Sequence, residues 1–380
     1  MGESWLKASL GTLTTKIGSG ATPRGGSSVY TSDGVSFIRS QNVYDSRFES
    51  NGLVHIDDAA AADLNGVAVQ AGDILLNITG DSVARCCIAP RGILPARVSQ
   101  HVMIIRPHPE MLDSRYLQGL LVEPQMKSYL LTLAGAGATR PALTKDQIAR
   151  LEVLLAPLSE QRAIAEVLGA LDDKIEANHH VIQMAWSLAA VQFQSITERD
   201  EVQFVRLGEV AKLSYGKSLP EHVREPGVVP VFGSGGVVGH HSAALVIGPG
   251  VIVGRKGTAG AVHWCQSDFF PIDTTFYVRS DELPMEFLYF VLRWLGLEHM
   301  NSDSAVPGLN RSAALARLIP LPKREELDAF TRVASPLTSM VAAIERESEA
   351  LTAMRDALLP KLLSGELRVK DAEPLVETAL

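Results

Sequence analysis

PLSEQRAIAEVLGALDDKI (157–175) decides the architecture, because the chain comes close to writing this stretch twice. A second apolar-periodic run follows Pro322 and closes with RDALLPKLLSGEL (355–367). In the first run Ile164, Leu168, Leu171, Ile175, Asn178, Ile182, Ala185 and Ala189 step by alternating fours and threes. In the second, Val333, Leu337, Met340, Ile344, Glu347, Leu351, Met354 and Leu358 do the same, each 169 residues further on. Alternating spacing of this kind over about four heptads is the seam of a coiled coil. The polar step, Asn178 against Glu347, falls at the same place in both runs, and a polar seam residue can fix register. The alternative, two amphipathic helices on an ordinary core, is weakened by the seam's length and internal match. Ser159 or a neighbour is placed to cap the first helix, with Glu160 in the first turn, where the helix dipole favours a carboxylate. Pro336 predicts a kink or a restart in the second helix.

Working outward, each helix follows a Gly- and Val-rich, turn-rich unit, and these units repeat more loosely. Leu10-Gly11 matches Leu207-Gly208 at an offset of 197, and Gly80 in GDILLNITG matches Gly257 in GVIVGRKGT at 177. RPALTKDQIARL (140–151) matches VPGLNRSAALARL (306–318) at about 166. The β-branched runs Val67–Ile78, Val98–Ile105, Val246–Val253 and Thr274–Val278 predict strands, and 112–133 and 285–300 predict one helical region in each unit. The fold class is α+β, with strands outnumbering helices and an antiparallel two-helix coiled coil as spacer. The expected boundaries are 1–157 for the first unit, 158–200 for the central helix, 201–321 for the second unit, 322–367 for the distal helix and 368–380 for a C-terminal tail. Such an object has approximate two-fold symmetry, and duplex DNA is its natural target. A helix over 159–196 would span about 57 Å, more than the roughly 34 Å of one turn of B-DNA.

A length of 380 residues exceeds one ordinary core, and 46% hydrophobic with 21% charged residues describes a folded chain. No apolar run is long enough for a membrane span, and MGESWLKASLGTL lacks the pattern of a secretory signal. Three cysteines, two of them adjacent (Cys86, Cys87), fit a reducing cytoplasm better than a disulfide framework. The net charge of −8 is unevenly spread. Residues 1–157 carry 14 basic and 14 acidic side chains and residues 201–321 carry 10 and 11, so the helical stretches hold nearly all the excess. Binding to phosphates gains from released counterions, and a neutral surface supplies little of that gain. A DNA reader with this charge needs a basic partner to clamp the backbone.

Catalytic constellations are incomplete. Gly216-Lys217-Ser218 hints at a phosphate loop, but the glycine required five positions earlier is Ala211. No Asn/Asp-Pro-Pro-aromatic tetrapeptide of an amino-methyltransferase occurs. His179-His180 and His240-His241 lack Cys or carboxylate partners at ligand spacing, so no metal site is expected. Asp57-Asp58 and Asp172-Asp173 lack the lysine pattern of a nuclease. The chain reads as a binding protein, not an enzyme.

At this point the residues carry a resemblance. PLSEQRAIAEVLGALDDKIEANHHVIQ (157–183) is similar to the central repeated region of the specificity subunits of type I restriction-modification systems, and RDALLPKLLSGEL resembles their distal repeat. The globular units agree through LGTLTTKIGSGATP (10–23), AGDILLNITG (71–80), YGKSLP (215–220), VFGSGGVVG (231–239) and GVIVGRKGTAGAV (250–262), while KREELDAF (323–330) departs from the pattern by lacking the EQR triplet. The resemblance implies two target recognition domains, each reading half of a bipartite, asymmetric site in double-stranded DNA. It implies a helical spacer that docks two methyltransferase subunits bringing S-adenosylmethionine, and restriction-translocase subunits bringing ATP and magnesium. No cofactor is expected on this chain. The seam residues Ile164, Leu168, Leu171, Ile175, Val333, Leu337, Met340 and Ile344 would form the spacer and its docking surface.

Base edges are read by Arg, Lys, Asn, Gln, Ser and Thr projecting from loops. The candidates are Arg39, Gln41, Asn42, Thr79, Ser82 and Arg85 in the first unit, with Ser99, Gln100 and His101, then Thr139 and Arg140, as second choices. In the second unit they are Lys217, Ser234, Arg255, Lys256, Thr258, Asn310 and Arg311, with His263 and Trp264 placed either to stack on bases or, for Trp264, to fill the core. The competing reading is a coiled-coil scaffold whose near-neutral heads bind protein or glycan.

Overall fold

The computed structural model describes residues 5–135, 141–199, 202–300 and 308–380. They form two compact units, Met1–Ala177 with Ser348–Leu380, and Asn178–Glu347. The first contains strands β1 (Leu6–Ser9), β2 (Thr14–Ser19), β3 (Val35–Ile38), β4 (Val43–Tyr44), β5 (Arg47–Phe48), β6 (Val54–Ile56), β7 (Ile74–Asn77), β8 (Cys86–Ile88), β9 (Ala96–Val98), β10 (Val102–Pro107) and β11 (Glu152–Leu155). Its short helices are α1 (Leu10–Leu13), α2 (Asp58–Asp63), α3 (Ser114–Val122), α4 (Pro124–Gly135) and α5 (Lys145–Ala149). The central sheet runs β2-β10-β7-β8. The near-continuous apolar runs ILLN of β7 and VMIIRP of β10 are what a sheet covered on both faces requires. Alternation then divides them. Ile74, Leu76, Met103 and Ile105 enter the core built with the helices, while Leu75, Val102 and Ile104 face a second layer that includes Ile38 and Val98. In that layer β3 lies between antiparallel β6 and parallel β9.

The long helix α6 (Leu158–Thr197) follows β11, and the second unit repeats the scheme with β12 (Gln203–Arg206), α7 (Leu207–Val210), β13 (Lys212–Tyr215), β14 (Val229–Gly233), β15 (Gly236–His241), β16 (Gly250–Gly254), β17 (Val262–Cys265), β18 (Phe270–Pro271), β19 (Thr275–Arg279), α8 (Met285–Trp294), α9 (Arg311–Leu315) and β20 (Leu318–Leu321). Its central sheet is β13-β19-β16-β17, the same order, and β14 lies between antiparallel β15 and parallel β18. Again Val251 and Val253 face the helical core while Ile252 faces the other way. In each unit the entering strand pairs with the leaving one, β1 with β11 and β12 with β20, immediately before a long helix begins.

The second long helix, α10 (Arg324–Leu363), has 40 residues, as does α6. In the first unit Ile164, Leu168 and Leu171 share a core with Leu351, Leu358 and Leu362. In the second Ala189, Phe193 and Ile196 share one with Leu327, Phe330 and Ala334. Early residues of one helix thus meet late residues of the other, so the pair is antiparallel. Asn178 and Glu347, matched as equivalent steps in the sequence, bond to each other: Asn178 Nδ2 donates to Glu347 Oε2 at 2.8 Å. The last segment, α11 (Val369–Ala379), packs Ala372 and Val376 into the first core.

Three expectations change. Leu158 begins α6 and the Pro157 carbonyl accepts from Glu160 N and Gln161 N, so Ser159 lies inside the helix and does not cap it. Of the kink or restart expected at Pro336, the restart does not occur: the helical run of α10 continues through the proline. Buried Ala334, Thr338 and Val341 hold both sides of the proline against the pair, offsetting the hydrogen bond it cannot donate. The repeat offset of the helices is 166, not 169: Leu158 corresponds to Arg324 and Thr197 to Leu363. The same 166 relates α5 to α9 and β11 to β20. A slip of three residues turns a helix only about 60° short of a full turn, so half of an alternating apolar pattern survives it. Accordingly Ala334 and Val341 are buried at 0% and 2%, while Val333 and Met340 stand 37% and 38% exposed.

Candidate nucleic-acid interface

In the first unit five loops converge at one end of the central sheet and are tied by backbone hydrogen bonds. Gly20 N bonds to Val102 O, Ala21 N to Val98 O, Ser99 N to Ile38 O, Ile78 N to His101 O, and Leu143 N to Ile78 O. Gly20 is required there, since a Cβ would sit 2.1 Å from the Val98 carbonyl oxygen. Asn77, fully buried at the end of β7, donates from Nδ2 to Ser40 O at 2.8 Å and braces the 39–43 turn. Asn42 is also fully buried, its Oδ1 accepting from Arg39 N and its Nδ2 donating to Glu49 O. It therefore shapes the loop from inside, and no face of it meets solvent.

The exposed surface above this brace is polar. Thr22 Oγ1 donates to Gln100 Oε1, Gln100 Nε2 meets His101 Nε2, and His101 Nδ1 meets Thr79 Oγ1 at 2.7 Å. Arg39 donates from Nη2 to Gly52 O at 2.6 Å and lies over Tyr30, and exposed Gln41 reaches the same carbonyl. Arg85 stacks on Tyr44 at 4.9 Å with Arg47 at 4.8 Å from the same ring, and Ser82 lies half-buried in the turn before Arg85. Thr139 and Arg140 lie outside the described residues.

The second unit builds the corresponding end from fewer residues. Gly216 N bonds to Thr275 O, Lys217 N to Pro271 O, Arg255 N and Lys256 N to Thr274 O, and Leu309 N to Arg255 O. A Cβ on Gly216 would sit 2.1 Å from Ile272 O, the counterpart of Gly20. Gly80 and Gly257 match too, both in left-handed conformations with φ of 75° and 80°. Tyr215 is 51% exposed and carries two guanidiniums, Arg255 at 4.9 Å and Arg311 at 5.3 Å from its ring. Lys217, Lys256 and Thr258 are exposed beside them, and Ser234 is half-buried, its carbonyl facing His263 Nε2 at 3.0 Å. Asn310 is used as a helix cap, its Oδ1 accepting from Ala313 N at the start of α9. Trp264 packs edge-on to Tyr289 in the core.

Among the described residues the buried side-chain atoms without a hydrogen-bond partner are Arg39 Nε, Asn77 Oδ1, Ser99 Oγ and Arg311 Nε. All four lie at these loop ends. No group of three or more His, Cys, Asp or Glu side chains among the described residues is arranged to hold a metal ion.

The sequence pattern of the type I restriction modification DNA specificity domain matches residues 5–184 and 199–350, most of the chain and both units. The chain belongs to this family. It is similar to the type I restriction enzyme MjaIX specificity subunit of Methanocaldococcus jannaschii, 24% identical over 78% of this chain and 82% of that one. It is 26% identical to the type I restriction enzyme HindI specificity subunit of Haemophilus influenzae over 58% of this chain and 46% of that one. Its fold is that of the solved S subunit from M. genitalium, with a TM-score of 0.62 and 19% identity over 94% of this chain and 96% of that one.

A specificity subunit is the non-catalytic DNA-recognition member of its system, so the scaffold reading with protein- or glycan-binding heads finds no support. In this subunit the polar residues expected from sequence that fall among the described residues gather at the two loop ends, except that Asn42 faces inward and Asn310 caps a helix. Sequence reasoning missed Tyr30, Tyr44, Arg47 and Tyr215, the rings and cation that pre-organise the arginines. The available signal was an aromatic residue beside a glycine or arginine at a strand end, as in Tyr215-Gly216 and Tyr44 three residues before Arg47.

Proposed function

We infer that this specificity subunit reads a bipartite, asymmetric site in duplex DNA, one half per unit. The observation that carries the reading is the pair of loop ends built on one sheet order but finished with different side chains. Arginines placed over tyrosine rings, and hydroxyl and amide groups on short loops, are suited to base edges and sugar-phosphate contacts. The near-neutral globular regions supply little counterion release, so two methyltransferase subunits would provide both the backbone clamp and S-adenosylmethionine. Restriction-translocase subunits would bring ATP and magnesium. The helix pair offers the docking surface. Leu168 and Leu171 are consumed by the core, leaving Val333 and Met340 on α10 and Met184, Leu188 and Val191 on α6 exposed for partners.

A reducing cytoplasm suits the three free, buried cysteines, among them Cys86, whose thiol burial pushes up to about 12. No helix among the described residues is long and apolar enough to cross a membrane. The test is to co-purify the chain with its methyltransferase subunits, treat unmodified DNA and map the methylated adenines. One split motif is expected, and exchange of one unit's loops should change one half of it. Random methylation by a fully assembled complex would overturn the reading.

A further inference from the structure

Arg311 differs from the hydrogen-bonded arginines at the two loop ends. Arg39 is held by the Gly52 carbonyl, Arg47 by Glu49 at 3.1 Å, and Arg255 by the Asp273 carbonyl at 3.0 Å. Arg85 lies over Tyr44, a ring it shares with Arg47 as Arg311 shares Tyr215 with Arg255, but of these two arginines Arg311 is the one whose Nε is buried without a partner. No described residue accepts a hydrogen bond from the Arg311 guanidinium, and its Nε is buried without a partner. Its position is nonetheless fixed. The residue opens α9, whose cap is made by Asn310, and the preceding Leu309 N is bonded to Arg255 O. The guanidinium rests on Tyr215, which is itself packed 5.0 Å from Phe276. Arg255 shares its ring, and exposed Lys217 and Lys256 belong to the same loop end, cations on a region whose total charge is close to balanced.

A planar fork that is stacked, immobilised and unspent loses little entropy when it forms two parallel hydrogen bonds. The acceptor pair that matches it in a major groove is O6 and N7 of guanine. We propose that Arg311, positioned by Tyr215 and Arg255, reads a guanine, so that the half-site of the second unit contains an obligatory G·C pair. This rests on the reading of the chain as a DNA-specificity subunit and adds the base and the residue. Tyr215 is a positioning residue, acting through the orientation of the guanidinium.

The test uses the chain assembled with its methyltransferase subunits and a randomised duplex library, from which bound molecules are sequenced. The wild-type complex should enrich a split motif with a G·C pair in one half. Arg311→Lys keeps the charge but loses the fork, and should lower the preference for that pair roughly 5- to 150-fold while leaving every other position unchanged. Tyr215→Ala should do the same and Tyr215→Phe should retain the pair, with assembly checked for each by size exclusion. A motif without G·C in either half overturns the proposal, as does an Arg311→Lys variant with an unaltered motif. Weakening of Arg311→Ala that is uniform across sequences, with a salt dependence shallower by about one ion, marks a phosphate contact and also overturns it. If the wild-type complex enriches no motif at all, the specificity reading falls together with it.

Discussion

The two loop ends share one frame and use it differently. In the first unit the tip is padded from within: Asn42 and Asn77 are buried amides that hold the 39–43 turn, and the arginines around it are tied to a carbonyl or a carboxylate, or share a tyrosine. In the second unit the counterpart of Asn77 at the end of the central strand is Gly254, where a Cβ would stand 2.1 Å from Thr258 O. Backbone against backbone replaces buried amides, and Tyr215 with its two arginines is left on the surface. The lesson is that sheet order and strand-end glycines form the constant part of a reader. The means of supporting the tip is free to change, and with it the side chains offered to DNA.

The helices under the two tips can be used to break this comparison most severely. Leu171, fully buried in the first core, should not tolerate a carboxylate: Leu171→Asp is expected to cost about 3–5 kcal/mol in chemical denaturation and to abolish assembly. Met340→Asp, one residue off the α10 seam, should stay within about 0.5 kcal/mol of wild type. Equal costs would restore the 169-residue register and discard the 166-residue one.

A smaller effect is expected where α10 meets α6 in the first unit, where Arg355 donates to Asp172 at 2.9 Å. Burial raises the Asp172 carboxyl above its ordinary range, with the Arg355 hydrogen bond opposing it. Arg355→Met should cost about 1–3 kcal/mol at neutral pH, less than a fully buried pair because both side chains keep about a fifth of their exposure. A carboxyl whose folded pKa is raised destabilises the fold while ionised. The deficit should therefore shrink as pH falls through that pKa and persist above it. A deficit that grows on acidification would refute the assignment.

Between the tips, Asn42→Ala should cost about 1–3 kcal/mol, because it leaves Arg39 N and Glu49 O unpaired inside the loop. It should alter only the half of the methylated motif that belongs to the first unit. Changes in both halves would show that the tips are not independent readers. The mildest contrast is chemical. Burial raises all three thiols, but Cys86 and Cys87 are nearly inaccessible whereas Cys265 retains 7% exposure. A thiol reagent at mildly alkaline pH should label Cys265 before either of the first unit's pair, as read by mass spectrometry.

Much of this was legible because apolar periodicity is a one-dimensional record of burial. The alternating steps from Ile164 to Ala189 defined α6, and the runs ILLN and GVIVG announced central strands. The chain alone thus determined two repeated α+β units, a paired helix after each, and loops rich in arginine, threonine and glycine as the place to look for DNA contacts. The register of α10 against α6 was beyond it. Two readings three residues apart both place apolar side chains on one face, and only the packing of Phe330, Ala334 and Val341 separates them. The roles of the loop residues were likewise decided in three dimensions. Asn42, Asn310 and Arg311 have similar polarity in the sequence, yet one braces a turn, one caps a helix and one rests its unspent charge on a tyrosine. A polar group's function follows from which partners satisfy it, and those partners lie three residues away for Asn310 and Ala313 but 96 away for Arg311 and Tyr215, a difference that polarity along the chain does not record.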